Sequence, residues 1–207
     1  MLRVENISTW GVSGAIRGMR NPMNSWSRSD TVFTVDNEAV FRLGGNDLDL
    51  MKRLYKAGPE HRKYLRMIHI QMDVTAPLYW WKEYDTYKVA TASNSCSTMH
   101  KVHSKKLTQE DFSIEHLGHV SLSAMSAIID LLNENREQYL RTNDKRYWWQ
   151  MIQLLPESYN QKRTIDINYE TALSIIHQRR GHKLDEWAEF VGELERLPFV
   201  KEILEDD

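Results

Sequence analysis

Between Ile68 and Val74 the chain alternates strictly, with apolar Ile68, Ile70, Met72 and Val74 set against polar His69, Gln71 and Asp73. A period of two puts the apolar set on one face of a β-strand. Elsewhere the apolar spacing widens to three and four. Leu48, Met51, Leu54 and Tyr55 predict a helix that stops at Gly58-Pro59. Leu122, Met125, Ile128, Ile129, Leu132 and Tyr139 predict a longer helix with the polar run NENRE opposite. Trp187, Phe190, Val191, Leu194 and Leu197 predict an amphipathic tail broken at Pro198, with a solvated acidic end. Residues 31–44 alternate enough for a strand or hairpin, and 61–67 read as a short helix before the Ile68–Val74 strand.

Punctuation fixes other boundaries. A helix opens after Pro77, whose fixed φ suits a first turn, and runs on toward Val89. On it Trp80 and Tyr84 share a side with Tyr87 or Lys88, and Trp81 lies next to Asp85; such an aromatic stripe reads first as core. Residues 144–155 form a short helix stopped ahead of Pro156, because a residue before proline avoids the α region. The stretch 161–167 reads as a strand ending in a cap at Asn168, and the helix from Glu170 to Arg180 ends at Gly181.

With 207 residues, 41% of them hydrophobic, the chain can bury one good core and is expected to form one domain over 1–207. A formal net charge of -2 gives no global basic field of the kind that draws proteins to nucleic acid or anionic membranes. A phosphate-bearing ligand needs a local cluster instead. Cys96 is the single cysteine, so no intrachain disulfide can form, and no run nears the ~18 consecutive apolar residues of a membrane span. The opening residues lack the layout of a signal peptide, and a cytoplasmic protein is expected.

Candidate chemistry concentrates between Tyr87 and His100, YKVATASNSCSTMH. Small, hydroxyl and amide side chains from Ala90 to Thr98 let a backbone approach a ligand while supplying donors and acceptors. Taken alone the stretch also reads as a polar loop. Near the N-terminus Arg17, Arg20 and Arg28 sit among Gly, Ser and Asn, a composition that suits either an anion site or a solvated segment. His61, Arg62, Lys63 and Arg66 read as a solvated cationic face. His100 with His103 and His116 with His119 repeat an i, i+3 spacing, but no third ligand stands at a recognised offset and no metal is assigned.

Two segments together resemble the ThyX family, the flavin-dependent thymidylate synthases. The family signature is Arg-His-Arg, two residues, Ser, one residue, Asn-Glu, one residue, Ser, one residue, Arg-Tyr. Laid on 87–100 it keeps Asn94 and Ser97; Arg-His-Arg becomes Tyr87, Lys88 and Val89, the first Ser becomes Ala92, Glu becomes Ser95, and Arg-Tyr becomes Met99 and His100. Downstream the match is closer. The family's Leu-Pro, Thr, Asn and helix-closing Arg recur in order and spacing as Leu155-Pro156, Thr164, Asn168 and Arg179, so the resemblance spans residues 70–186.

The resemblance implies an α+β fold with an antiparallel sheet flanked by helices, and a homotetramer that assembles each site from several chains. It implies reductive methylation of dUMP to dTMP, with methylenetetrahydrofolate giving the carbon, NADPH the reducing power and FAD as cofactor. Nucleotide contacts would be Ser95, Ser97 and Arg179, with Arg17 and Arg20 replacing the missing Arg-His-Arg. Cofactor contacts would be Tyr87, Lys88, Asn94 and Asn168. Lys162 and Arg163 are candidates for a neighbouring subunit's site. Two departures stand out: Arg66 and Met67 occupy the places of an acidic residue and a His near the flavin, and Glu170 occupies that of a flavin-contacting Arg, where a carboxylate is expected to repel phosphate. They keep open a protein that binds a nucleotide, a flavin or a partner without methylation, or one that runs another reaction with Tyr84, Tyr87, Lys88 and His100.

Overall fold

The structure is a computed structural model and describes residues 2–34 and 40–204. In chain order its elements are β1 (Arg3–Trp10), α1 (Val12–Arg20), β2 (Val32–Phe33), β3 (Val40–Arg42), α2 (Gly45–Lys56), β4 (His69–Pro77), α3 (Leu78–Tyr84) and β5 (Thr91–Ser95). There follow α4 (Thr98–Lys101), α5 (His119–Thr142), α6 (Lys145–Leu154), β6 (Asn160–Asn168), α7 (Tyr169–Arg179), α8 (Asp185–Glu195) and α9 (Val200–Leu204). The expected short helix at 61–67 is a 3-10 turn, Lys63–Met67.

Four strands form a sheet in the order β1-β4-β6-β5, and β2 pairs with β3 alone. Tyr169 N–H donates to the Ile68 carbonyl, while Leu78 N–H donates to that of Tyr159. Numbers rise along β4 as they fall along β6, so the two strands are antiparallel. Trp10 stacks on His69 and Asn6 donates to Asp73, the same inverse order for β1 and β4. The mixture of helix and antiparallel sheet is the predicted class. β2 and β3 pair antiparallel, with Val32 opposite Arg42, as expected of a hairpin; its connecting residues 35–39 and the acidic end 205–207 lie outside the described residues.

The alternation of β4 sets the core. Ile68, Ile70, Met72 and Val74 are all buried, whereas Gln71 is exposed. Burying each such side chain contributes about 1.5–3 kcal/mol before entropy is set against it.

Packing divides the chain, expected as one domain, into two compact units, each discontinuous in sequence. The first comprises Met1–Arg3, Val74–Thr86 and Asn94–Thr164; the second comprises Val4–Asp73, Tyr87–Ser93 and Ile165–Asp207. In the first, α5 packs on α6 around Leu107, Phe112, Met125, Ile129, Leu132 and Met151. Asn133 enters this apolar cluster because its amide bonds both the N–H and the carbonyl of Leu107, each at 2.9 Å. Trp80, Trp81 and Tyr84 of α3 are buried in the same unit, which makes the aromatic stripe core.

The helix predicted on toward Val89 stops at Tyr84. Thr86 Oγ1 donates to the Glu83 carbonyl, a local bond that competes with helix continuation. In the second unit α7 packs on α8 and α2 on α9, over buried Leu173, Ile176, Trp187, Phe190 and Leu194. Gly11 is required here: its φ is +88° and a Cβ would stand 2.1 Å from the Met67 carbonyl oxygen.

Candidate functional site

In the second unit, α7 starts where the sequence places it. Asn168 Oδ1 accepts the Thr171 N–H at 2.9 Å and caps the helix from a buried position. The flavin contact expected of Asn168 therefore meets a residue whose side-chain oxygen is committed to the backbone. At the other end Gly181 takes a left-handed φ of 79°, as the sequence implies.

Arg179 lies in the last turn of α7, over the Trp187 ring and beside the Tyr87 hydroxyl. Its guanidinium carbon is 4.4 Å from the Trp187 ring centroid and 5.5 Å from that of Tyr87. Its Nε–H donates to Tyr87 Oη at 2.9 Å. Arginine can only donate, so Tyr87 Oη accepts there and directs its own proton to Gln178 Oε1 at 3.1 Å. Gln178 Nε2 in turn donates to Ser174 Oγ at 3.0 Å. Arg180, one residue on, pairs instead with Glu195 at 2.7 Å and is 64% exposed.

Trp187, Gln178 and Ser174 were not singled out as site residues by the sequence. Trp187 reads there only as core, which it also is, and the one local signal for the other two is their i, i+4 spacing.

Glu170, at the start of α7, is not the bare charge its position suggests. Its carboxylate accepts from Arg62 Nε at 3.0 Å and has Arg66 Nε at 3.6 Å. Two guanidiniums outnumber one carboxylate, which corrects the expectation of simple phosphate repulsion. Glu170 lines a cavity of about 360 Å³ with Tyr55, Lys56, Arg62, Ser174 and His177, and its fixed charges there sum to positive. Arg62 also rests over the Tyr55 ring, 5.1 Å from its centroid.

Arg20 takes a role different from the one expected. It is 3% exposed and meets Asp47 through Nε and Nη2, both at 2.6 Å. Asp47 also accepts from Ser29 Oγ and from the N–H and hydroxyl of Thr31. Burial opposes ionisation of Asp47, but the hydrogen bonds from Thr31, Arg20 and Ser29 outweigh it and hold the carboxyl below its ordinary range. The Arg20 charge is thus matched inside the protein, where a phosphate replacement needs access to ligand. Arg17 is exposed and lines a cavity of about 320 Å³ with Ser13, Ile16, Arg20, Trp26, Ser29 and Phe33, so Arg20 borders this cavity even while its charge is matched by Asp47. Lys88 is exposed past the end of α3.

In the first unit Asn94 and Ser95 are exposed, and Ser97 caps α4 by accepting the His100 N–H at 3.0 Å. Cys96 N–H donates to the Lys162 carbonyl at 3.0 Å, and Gln161 Nε2 donates to the Cys96 carbonyl at 2.7 Å. Arg163 is spent on its neighbours: its guanidinium lies 4.2 Å from the Trp81 ring centroid and donates to Asp85 at 2.8 Å. Lys162 lines a cavity of about 280 Å³ with Thr75, Cys96 and Tyr159. Among the described residues no group of three or more His, Cys, Asp or Glu is arranged to hold a metal ion, and no helix is long and apolar enough to cross a membrane.

No protein-family model matches the sequence, and no curated protein matches it in sequence. Solved structures do match in fold. A crystal structure of thymidylate synthase X (ThyX) from Helicobacter pylori with FAD and dUMP aligns at a TM-score of 0.70 and 16% identity, over 99% of this chain and 97% of that chain. A second, flavin-dependent thymidylate synthase ThyX from the same organism complexed with FAD and dUMP, aligns at 0.72 and 16%, over 98% of this chain and 97% of that one. The chain has the fold of these thymidylate synthases.

Proposed function

We propose that the chain is a ThyX-like flavoprotein that methylates dUMP reductively to dTMP, taking carbon from methylenetetrahydrofolate and reducing power from NADPH. The observation that carries this reading is a fold shared with ThyX along nearly its whole length, with Arg179 closing its helix α7. Arg17 is a further nucleotide contact and Lys88 a cofactor contact.

The donor set fits a phosphate-bearing cofactor such as FAD: Lys56 and Arg62, lining one cavity, would hold its anionic part. FAD, once bound and reduced by NADPH, would supply the hydride that completes the methyl group. The chain's own side chains bind and orient; no protein nucleophile is needed, and rate comes from holding the reacting rings in register. Val120, Leu140 and Trp149, exposed on α5 and α6 at 86, 55 and 47%, suit burial against further copies in a homotetramer.

One observation favours a second reading, binding without methylation. The Arg-His-Arg of the family is absent, its places held by Tyr87, Lys88 and Val89. Absorbance of the purified protein, before and after incubation with FAD, together with rescue of a thymidine-requiring strain, separates the two. A yellow protein that rescues growth supports the synthase; a yellow protein that does not rescue supports binding alone. A protein that stays colourless and fails to rescue contradicts the flavoprotein reading.

A further inference from the structure

We infer that the cavity between α1 and residues 26–33 is the seat of the nucleotide's base, with Trp26 as the ring it stacks on and Arg17 as the partner of its phosphate. The inference rests on the nucleotide reading of Arg17 and adds the group that takes the ring.

Of the two arginines on this cavity, only one carries an unmatched charge. Arg20 is paired with Asp47, whereas Arg17 makes no hydrogen bond or ion pair among the described residues. A guanidinium in that condition on the wall of a cavity is a ready partner for an anion. Trp26 lines the same cavity, 50% exposed, and makes no ring contact among the described residues. Its Nε1–H donates to Asn21 Oδ1 at 2.8 Å, which holds the polar edge of the indole and leaves the ring face for a ligand. Ile16 and Phe33 extend the apolar wall.

An aromatic face beside a lone cation selects a planar ring and a negative group carried by one small molecule. A cavity of about 320 Å³ stands at the small end of ligand sites, which span about 300–1,000 Å³. A mononucleotide meets both conditions, and a dinucleotide cofactor exceeds the second.

The two walls are fixed before any ligand arrives, because both converge on Asp47. From the α1 side Arg20 Nε donates to Asp47 Oδ1 at 2.6 Å. From the other side Ser29 Oγ and the N–H groups of Asp30 and Thr31 donate to Asp47 Oδ2. The Asp30 carboxylate returns the exchange, accepting the N–H of Asn46 and of Asp47 at 3.0 and 3.1 Å. A site laced in this way loses little further entropy on binding.

The test titrates dUMP, and deoxyuridine, which lacks the phosphate, into full-length protein incubated with FAD. Wild type, Trp26→Ala, Trp26→Phe and Arg17→Gln are compared by calorimetry and by indole fluorescence. Trp26→Ala is expected to weaken both ligands about tenfold, and Trp26→Phe, which keeps a smaller ring, to weaken them less. The quenching of indole emission by dUMP in the wild type should shrink in both Trp26 variants. Arg17→Gln should weaken dUMP several-fold and leave deoxyuridine unchanged. Unfolding temperatures should stay at the wild-type value, since both side chains are exposed.

Equal dUMP affinity in wild type and Trp26→Ala overturns the inference and leaves the nucleotide reading standing. Quenching that persists undiminished in Trp26→Phe puts the base on another indole and also overturns it. Arg17→Gln that weakens deoxyuridine as much as dUMP overturns the division between ring and phosphate. Wild-type protein that binds no dUMP overturns the nucleotide reading itself, and the inference with it.

Discussion

Arg20 and Arg179 each close a helix, yet one is paired with a buried carboxylate and the other rests over the Trp187 ring. Arg20 and Asp47 form a buried pair, and a lone charge left by removing its partner costs about 3–5 kcal/mol. Asp47→Asn should therefore lower stability strongly at neutral pH. Because the folded-state pKa of Asp47 is depressed, its contribution is present above the ordinary value of 3.8 and is lost as pH falls through the lower folded value. Urea unfolding at pH 7 and pH 3 should show the gap between wild type and Asp47→Asn narrowing in acid, and a gap independent of pH would contradict the assignment. Arg17, in contrast, can be tested without harm to the fold: Arg17→Gln should leave stability within about 0.5 kcal/mol and weaken dUMP binding about several-fold. Calorimetry showing unchanged affinity would remove Arg17 from the site. Only the resemblance to the ThyX family distinguishes Arg179 from its neighbour Arg180, and Arg20 and Asp47 stand 27 positions apart with no periodicity to connect them.

At the level of elements, what the chain reveals follows from how local the cause is. The Asn168 cap, the Gly181 stop and the alternating β4 depend on neighbouring residues, and all three stand where the sequence puts them. Asn168→Ala should cost about 1–2 kcal/mol by freeing the first-turn N–H groups of α7; a denaturant midpoint equal to wild type would show that the cap contributes nothing. The strand β5 was not legible, because its small polar residues carry no alternation and the strand exists through backbone pairing at the sheet edge. The pairing of Glu170 with Arg62 spans 108 positions, so the sequence shows a reversed charge without the arginines that offset it. The same holds for the hydrogen bond from Arg179 to Tyr87, residues that lie 92 positions apart and meet only once the chain has folded.

For the molecule as a whole, the fold survives where the signature does not. A 16% identity over nearly the full length of both chains fits a fold that is set by apolar pattern, caps and turns more than by particular residues. If the exposed apolar residues of α5 and α6 are covered by further copies, light scattering should find a particle of four 24.5 kDa chains, and a monomer at micromolar concentration would contradict the shared-site assembly. The central claim is narrower: Arg179 receives the nucleotide. Titrating dUMP calorimetrically into FAD-incubated wild type, Arg179→Ala and Arg180→Ala tests it most directly. The account predicts affinity about tenfold or more weaker in Arg179→Ala and unchanged in Arg180→Ala; equal effects of the two substitutions, or no binding to the wild type, would contradict it.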